Sequence, residues 1–180
     1  MRWCAALVAA AGSMVLAACA TPAALTRAQS EALISGRMTV RVETPGPGAQ
    51  RNLSAAFELS GDADQGRLDL NTPLGTTLAR ARWEPGTVSL TTPQGESRYA
   101  DLPALTREML GEELPVAALF DWLRGRPWPG APSTAAVPPA EAGFRQLGWD
   151  VNLAQFADAW VIARRDQAPV VTVRVKLERP

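Results

Sequence analysis

Arg37-Met38-Thr39-Val40-Arg41-Val42-Glu43 decides the fold, because its apolar residues fall on every second position and its polar ones on the positions between. A period of two is that of a β-strand with one dry face and one wet face. Pro45-Gly46-Pro47-Gly48 ends the run, and the same alternation returns in Leu53, Ala55, Phe57 and Leu59. It comes back in Leu68 and Leu70, in Ala79, Ala81 and Trp83, and in Val88 and Leu90. Gly61-Asp62, Asn71-Thr72-Pro73 and Glu84-Pro85-Gly86 stand between the runs and supply turn chemistry. Links this short favour an antiparallel meander, since a parallel sheet needs long crossovers.

Helical signals then interrupt the strands. Asp101 is placed to cap a segment from Leu102 to Leu110 that Gly111 closes. Pro115 opens a second from Val116 to Arg124, closed by Gly125, with Leu119, Trp122 and Leu123 on its apolar face. From Pro127 to Pro139 the composition is that of an extended surface link, in which Trp128 either packs down or stays exposed. Strands resume over Phe144 to Leu153, Trp160 to Arg164 and Val170 to Leu177. In the last of these Val171, Val173, Val175 and Leu177 oppose Thr172, Arg174, Lys176 and Glu178.

Strands, two helices and more strands define an α+β, mainly β domain whose apolar sheet face needs a cover. The helices are the available lid. Twist would curl such a sheet toward an incomplete barrel, with either a packed core or a cavity beneath the lid. Periodicity does not separate those two outcomes.

The N-terminus carries a different message. Arg2, an apolar run from Trp3 to Val15 and then Leu16-Ala17-Ala18-Cys19 follow the charged, hydrophobic and small-residue order of a secretory signal. A transmembrane helix is the alternative, but the run before Cys19 falls short of the ~20 apolar residues a span needs and contains Gly12 and Ser13. Residues 1–18 are therefore read as a signal peptide, residues 19–33 as a tether with a short helical turn over Ala28 to Leu33, and residues 34–180 as one domain. The first of these resembles a bacterial lipoprotein signal, in which the cysteine, here Cys19, becomes the lipidated first residue. Ala20 after it, in place of aspartate, points to the outer membrane in proteins of that kind.

Removing the signal leaves 162 residues, enough for a single domain with a real core. The whole chain has 18 basic and 18 acidic residues, scattered rather than clustered, so its overall charge carries no footprint for nucleic acid or anionic lipid. Histidine is absent, which removes the usual general base and the commonest metal ligand. No metal, no cofactor and no catalysis are expected. A carboxylate-pair hydrolase would have to use Asp62 with Asp64 or Glu112 with Glu113, all in contexts that read as solvated turns.

Four stretches taken together carry a resemblance: Ser35-Gly36-Arg37-Met38-Thr39-Val40-Arg41, Leu68-Asp69-Leu70-Asn71-Thr72-Pro73-Leu74-Gly75-Thr76-Thr77, Asp121-Trp122-Leu123-Arg124-Gly125-Arg126-Pro127 and Gln146-Leu147-Gly148-Trp149-Asp150-Val151. In order and spacing they resemble the LolB family of outer-membrane lipoprotein receptors, from about Ile34 to Leu177. The resemblance implies an incomplete antiparallel β-barrel, a half-barrel, closed by a helical lid over an apolar cavity that takes acyl chains. It implies a lipid-anchored protein facing the periplasm that accepts client lipoproteins from the soluble carrier LolA and releases them into the outer membrane. Leu59 stands where that family often has tryptophan, the tail Leu177-Glu178-Arg179-Pro180 lacks an aromatic ending, and the stretch after Pro127 is short and rich in proline.

Candidate cavity residues, taken from the apolar strand faces and the lid, are Met38, Val40, Phe57, Leu70, Leu119, Trp122, Trp149 and Val173. Each could equally serve ordinary packing. The resemblance makes Pro73, Leu74 and Gly75 a membrane-insertion loop with Leu74 at its tip, against a plain hairpin turn whose leucine folds back. A monomer is expected. The competing reading is a structural or assembly lipoprotein that binds a protein partner through strand edges or the Trp128 segment.

Overall fold

The computed structural model describes residues 33–45 and 50–178. The signal peptide, Cys19, the turn over Ala28 to Leu33 except Leu33 itself, nearly all of the tether and the centre of the Pro-Gly turn lie outside the described residues.

Among the described residues eleven strands form one antiparallel sheet. They are β1 (Ile34–Glu43), β2 (Gln50–Gly61), β3 (Gly66–Asn71), β4 (Thr77–Glu84), β5 (Thr87–Thr92), β6 (Gly95–Tyr99), β7 (Ser133–Ala135), β8 (Gly143–Gln146), β9 (Trp149–Asn152), β10 (Trp160–Arg165) and β11 (Val170–Leu177). Two helices, α1 (Leu102–Leu110) and α2 (Val116–Trp122), lie between β6 and β7 in the chain. The sheet order is β6-β5-β4-β3-β2-β1-β11-β10-β9-β8-β7, so β6 and β7 are free edges and the barrel stays open. Two meanders are joined where β1 pairs with β11.

The alternation read from the sequence sets which face is dry. Val40 pairs with Leu53 on β2 and with Val173 on β11, which continues to Ala163 and Val151. On the other wing Phe57 pairs with Leu70 and Leu70 with Ala79. These residues stack as rows across the concave face and are buried apart from the half-buried Leu53. Close approach at one point demands glycine: a Cβ on Gly36 would stand 2.2 Å from the Lys176 carbonyl oxygen.

Both helices start where the sequence places them. Asp101 Oδ1 accepts the Ala104 N–H at 2.7 Å, Pro103 occupies the first turn, and left-handed Gly111 donates to the Arg107 carbonyl at 2.8 Å. Helix α2 ends at Trp122 instead of continuing to Arg124. There Asp121 takes over, its carboxylate held by Arg126 Nε at 2.7 Å and its carbonyl by the Arg126 N–H, which tightens the chain into a turn through Gly125.

Two further readings change, and the one left open for Trp128 is decided. Phe144 to Leu153 is a hairpin, β8 and β9, folded at Leu147 and Gly148, both at positive φ. The extended Pro127–Pro139 link contains the edge strand β7. Trp128 packs down: Gln146, 1 % exposed, accepts from the Trp128 N–H at 2.9 Å and donates to the carbonyls of Trp128 and Ala131 at 2.7 Å each. Strand β6 was missing from the alternation because only Tyr99 in it is large and apolar.

Candidate functional site

Turn chemistry makes the β3–β4 connection stiff. The Thr72 N–H donates to the Thr76 carbonyl at 2.8 Å, the Gly75 N–H to the Thr72 carbonyl at 2.9 Å, and the Thr76 N–H to Thr72 Oγ1 at 3.1 Å. Gly75 takes φ 85°, a conformation that costs a side-chain-bearing residue. Pro73 has no N–H to satisfy. The result is a closed loop with Leu74 at its tip, 95 % exposed, so the leucine does not fold back on the sheet.

Under the helices lies an apolar cavity of about 90 Å³. Six of the eight candidate residues line it: Met38, Val40, Phe57, Leu70, Leu119 and Val173. Leu105, Leu110, Leu114 and Leu123, from the helical segment, also line it. Thr106 is the one polar lining residue, and its hydroxyl is occupied, donating to the Pro103 carbonyl and accepting the Leu114 N–H at 3.0 Å. The wall therefore offers no free hydrogen-bonding group, and transfer of apolar matter into it gains roughly 25 cal/mol per Å² with no polar penalty. Met109, 41 % exposed, stands on the helical wall and can reshape it, since an unbranched thioether adapts to irregular contacts.

Trp122 and Trp149 do not line this cavity. They form a separate packed cluster with Phe144, with ring centroids 6.0 Å apart between the tryptophans and 6.4 Å from Trp122 to Phe144. Trp122 Nε1 donates to Gln146 Oε1 at 2.8 Å. Their spacing in sequence suited the cavity, but a large ring with a polar N–H goes where a partner waits. Two of the four family-like stretches, around Trp122 and around Gln146, thus meet in one hydrogen-bonded constellation.

The carboxylate candidates serve structure. Asp62 caps its own turn, accepting the N–H groups of Gln65 and Asp64, which hold its carboxyl below the usual carboxylate range. Glu112 is not a solvated turn residue: it is half-buried and accepts Arg165 Nη2 at 2.6 Å, tying the α1–α2 connection to β10. The Arg165 guanidinium also lies over Trp149 at 5.6 Å. Glu113 pairs with Arg107. No group of three or more His, Cys, Asp or Glu able to hold a metal occurs among the described residues.

Beside the β3–β4 loop stands Leu78, 38 % exposed at an outward position next to inward Ala79, Ala81 and Trp83, which the sequence reading did not single out.

The model of the family described as outer membrane lipoprotein LolB matches residues 32–179. The chain is 33 % identical over 176 residues to an outer-membrane lipoprotein LolB of Bordetella petrii, covering 92 % of this chain and 88 % of that protein. The namesake from Bordetella pertussis is 34 % identical over 153 residues, 81 % and 76 % of the two chains. That of Chromobacterium violaceum is 30 % identical over 156 residues, 81 % of this chain and 80 % of its own. An open eleven-stranded antiparallel sheet carrying two helices agrees with this match over nearly the whole described domain, and the chain belongs to the LolB family of outer-membrane lipoproteins.

Proposed function

We propose that this outer-membrane lipoprotein faces the periplasm, accepts client lipoproteins from the carrier LolA by taking up their acyl chains, and inserts them into the outer membrane. The observation that carries the reading is the pairing of an apolar cavity, free of unsatisfied polar groups, with a stiff loop that holds Leu74 95 % exposed. Such a device needs no nucleophile, because no bond is made or broken.

In this reading residues 1–18 are removed, Cys19 carries the lipid, and residues 19–33 tether the domain with a reach of about 50 Å when extended. That slack lets the domain meet a carrier and then press Leu74 to the membrane. The helices are the lid over the cavity. At about 90 Å³ the cavity holds a few water-sized groups, so it widens as a long chain enters, with the helices and the free sheet edges giving way.

The test is transfer of a radiolabelled lipoprotein from a purified LolA complex to the protein, followed by release into liposomes. Val173→Trp fills the cavity and should lower acceptance, while Leu74→Glu should leave acceptance intact and block insertion. Transfer unaffected by either variant overturns the respective role of each site. A folded protein that accepts nothing from LolA moves the reading to an assembly lipoprotein.

A further inference from the structure

We propose that Leu78 enters the bilayer alongside Leu74, with Arg80 at headgroup depth, so that the β3–β4 hairpin is a two-leucine wedge docking on a phospholipid surface. The inference rests on the insertion reading of the 73–75 loop. It starts from the register, which shifts between Leu70 and Asn71: Leu70 pairs with Ala79 and Asn71 with Thr77, leaving Leu78 as the extra residue of a bulge. A bulge re-aims a side chain at the end of a ladder. Here it keeps Leu78 38 % exposed, four residues from the 95 % exposed Leu74.

Between Leu70 and Ala79 the chain has no charged residue. The loop's own hydrogen bonds already occupy the Thr72, Gly75 and Thr76 N–H groups, which lowers the cost of taking this backbone out of water. Below the bulge the chemistry changes to charge. Arg80 lies two residues on, about 7 Å along the strand. Asp69 accepts from both Arg80 and Arg67, and Arg67 stands directly opposite Arg82 on the neighbouring strand. The acids in the same rows are Asp69, Glu58, which is opposite Asp69 on β2, and Glu96, which stands two strands from Arg80 and pairs with Arg98. Arg80 and Arg67 share the single Asp69 carboxylate, which leaves positive charge for a lipid phosphate, and the ~7 Å from Leu78 to Arg80 falls within the ~5–10 Å to which an interfacial element sinks its apolar face. An apolar tip, an uncharged collar of Thr72, Thr76 and Thr77 and a cationic base together fit a membrane surface.

The chain's cysteines are Cys4 and Cys19, so a cysteine placed in the mature lipidated protein is its one free thiol. Nitroxide labels at Leu74→Cys, Leu78→Cys and Val137→Cys are compared in the lipidated protein on vesicles of phosphatidylethanolamine and phosphatidylglycerol, Val137 being 71 % exposed outside the hairpin. The expected result is that labels at 74 and 78 collide with oxygen and are shielded from a nickel chelate, while the label at 137 is not shielded. Leu78→Ser should also slow insertion of a client lipoprotein about threefold to tenfold, with uptake from the carrier unchanged. A label at 78 as open to nickel as that at 137, with 74 shielded, overturns the wedge and leaves the Leu74 reading standing. Equal nickel access at all three positions overturns both.

Discussion

Replacing Gln146 by leucine removes a side chain whose amide makes four hydrogen bonds in a site 1 % exposed, while nearly preserving volume. Its oxygen accepts Trp122 Nε1–H at 2.8 Å and the Trp128 N–H at 2.9 Å, and its nitrogen donates to the carbonyls of Trp128 and Ala131 at 2.7 Å each. Trp122 is fully buried, so its indole N–H has no route to water and carries the whole desolvation penalty of about 1–3 kcal/mol. The Trp128 and Ala131 groups are only part-buried, and water recovers a share of their bonds. Together the loss should be about 4 kcal/mol, about a quarter or more of the stability of an ordinary domain. Urea unfolding followed by tryptophan fluorescence reads it as a lower midpoint at unchanged slope. Trp122→Phe alone should cost about 1–2 kcal/mol, and the double variant should fall short of the sum by about 1 kcal/mol, because the two side chains share one bond. A Gln146→Leu protein within 1 kcal/mol of the parent would refute the view that this amide holds the proline-rich segment, α2 and β8 together.

Other expectations concern charge, close approach and the lid. Burial pushes the Asp69 carboxyl up, but hydrogen bonds and charge from Arg80 and Arg67 outweigh it and hold the group below the usual carboxylate range. A lowered folded value means that Asp69 stabilises the protein above pH ~4 and loses that contribution as pH falls further, so Asp69→Asn should flatten the acid limb of a stability profile. Gly36→Ala should destabilise by about 2 kcal/mol or more in the same urea assay, since its methyl carbon would meet the Lys176 carbonyl on the neighbouring strand at 2.2 Å. Asp101→Ala, which deletes the α1 cap, should cost about 1 kcal/mol. Glu112→Gln should weaken the contact between the α1–α2 connection and Arg165 and raise the rate at which a fluorescent fatty acid enters, measured by stopped flow.

Alternation made the first five strands and β11 legible, while the Asp101 cap and Pro115 located the two helix starts. What stayed hidden follows from where pattern and packing part company. Phe144 and Gln146 face inward on even positions, Trp149 and Val151 on odd ones, so the phase slips by one at Leu147-Gly148. A leucine at φ 54° is not a turn residue by type, and the slip was the only warning. Strand β7 is three exposed residues held by pairing with β8, which no local preference encodes. In the site, cavity residues on strands were readable because inward position suffices. Trp122 and Trp149 were not, because the partner that draws Trp122 away, Gln146, lies 24 residues along the chain. Leu74 was readable as a loop tip, its exposure only from the loop's hydrogen bonds.

The seam between β1 and β11 has a consequence for the protein's birth. Val42 and Val171 are neighbours in the sheet but nearly the whole domain apart in sequence, so the central ladder cannot form until β11 has been made. Each meander can zip by local hairpins first; joining them closes the longest loop in the chain and should set the slow step of folding. Until then two strand edges, those of β1 and β11, stand open in the periplasm. A newly made molecule is thus most exposed to proteases and to mispairing before β1 and β11 join, and deletion of β11 should leave no stable half.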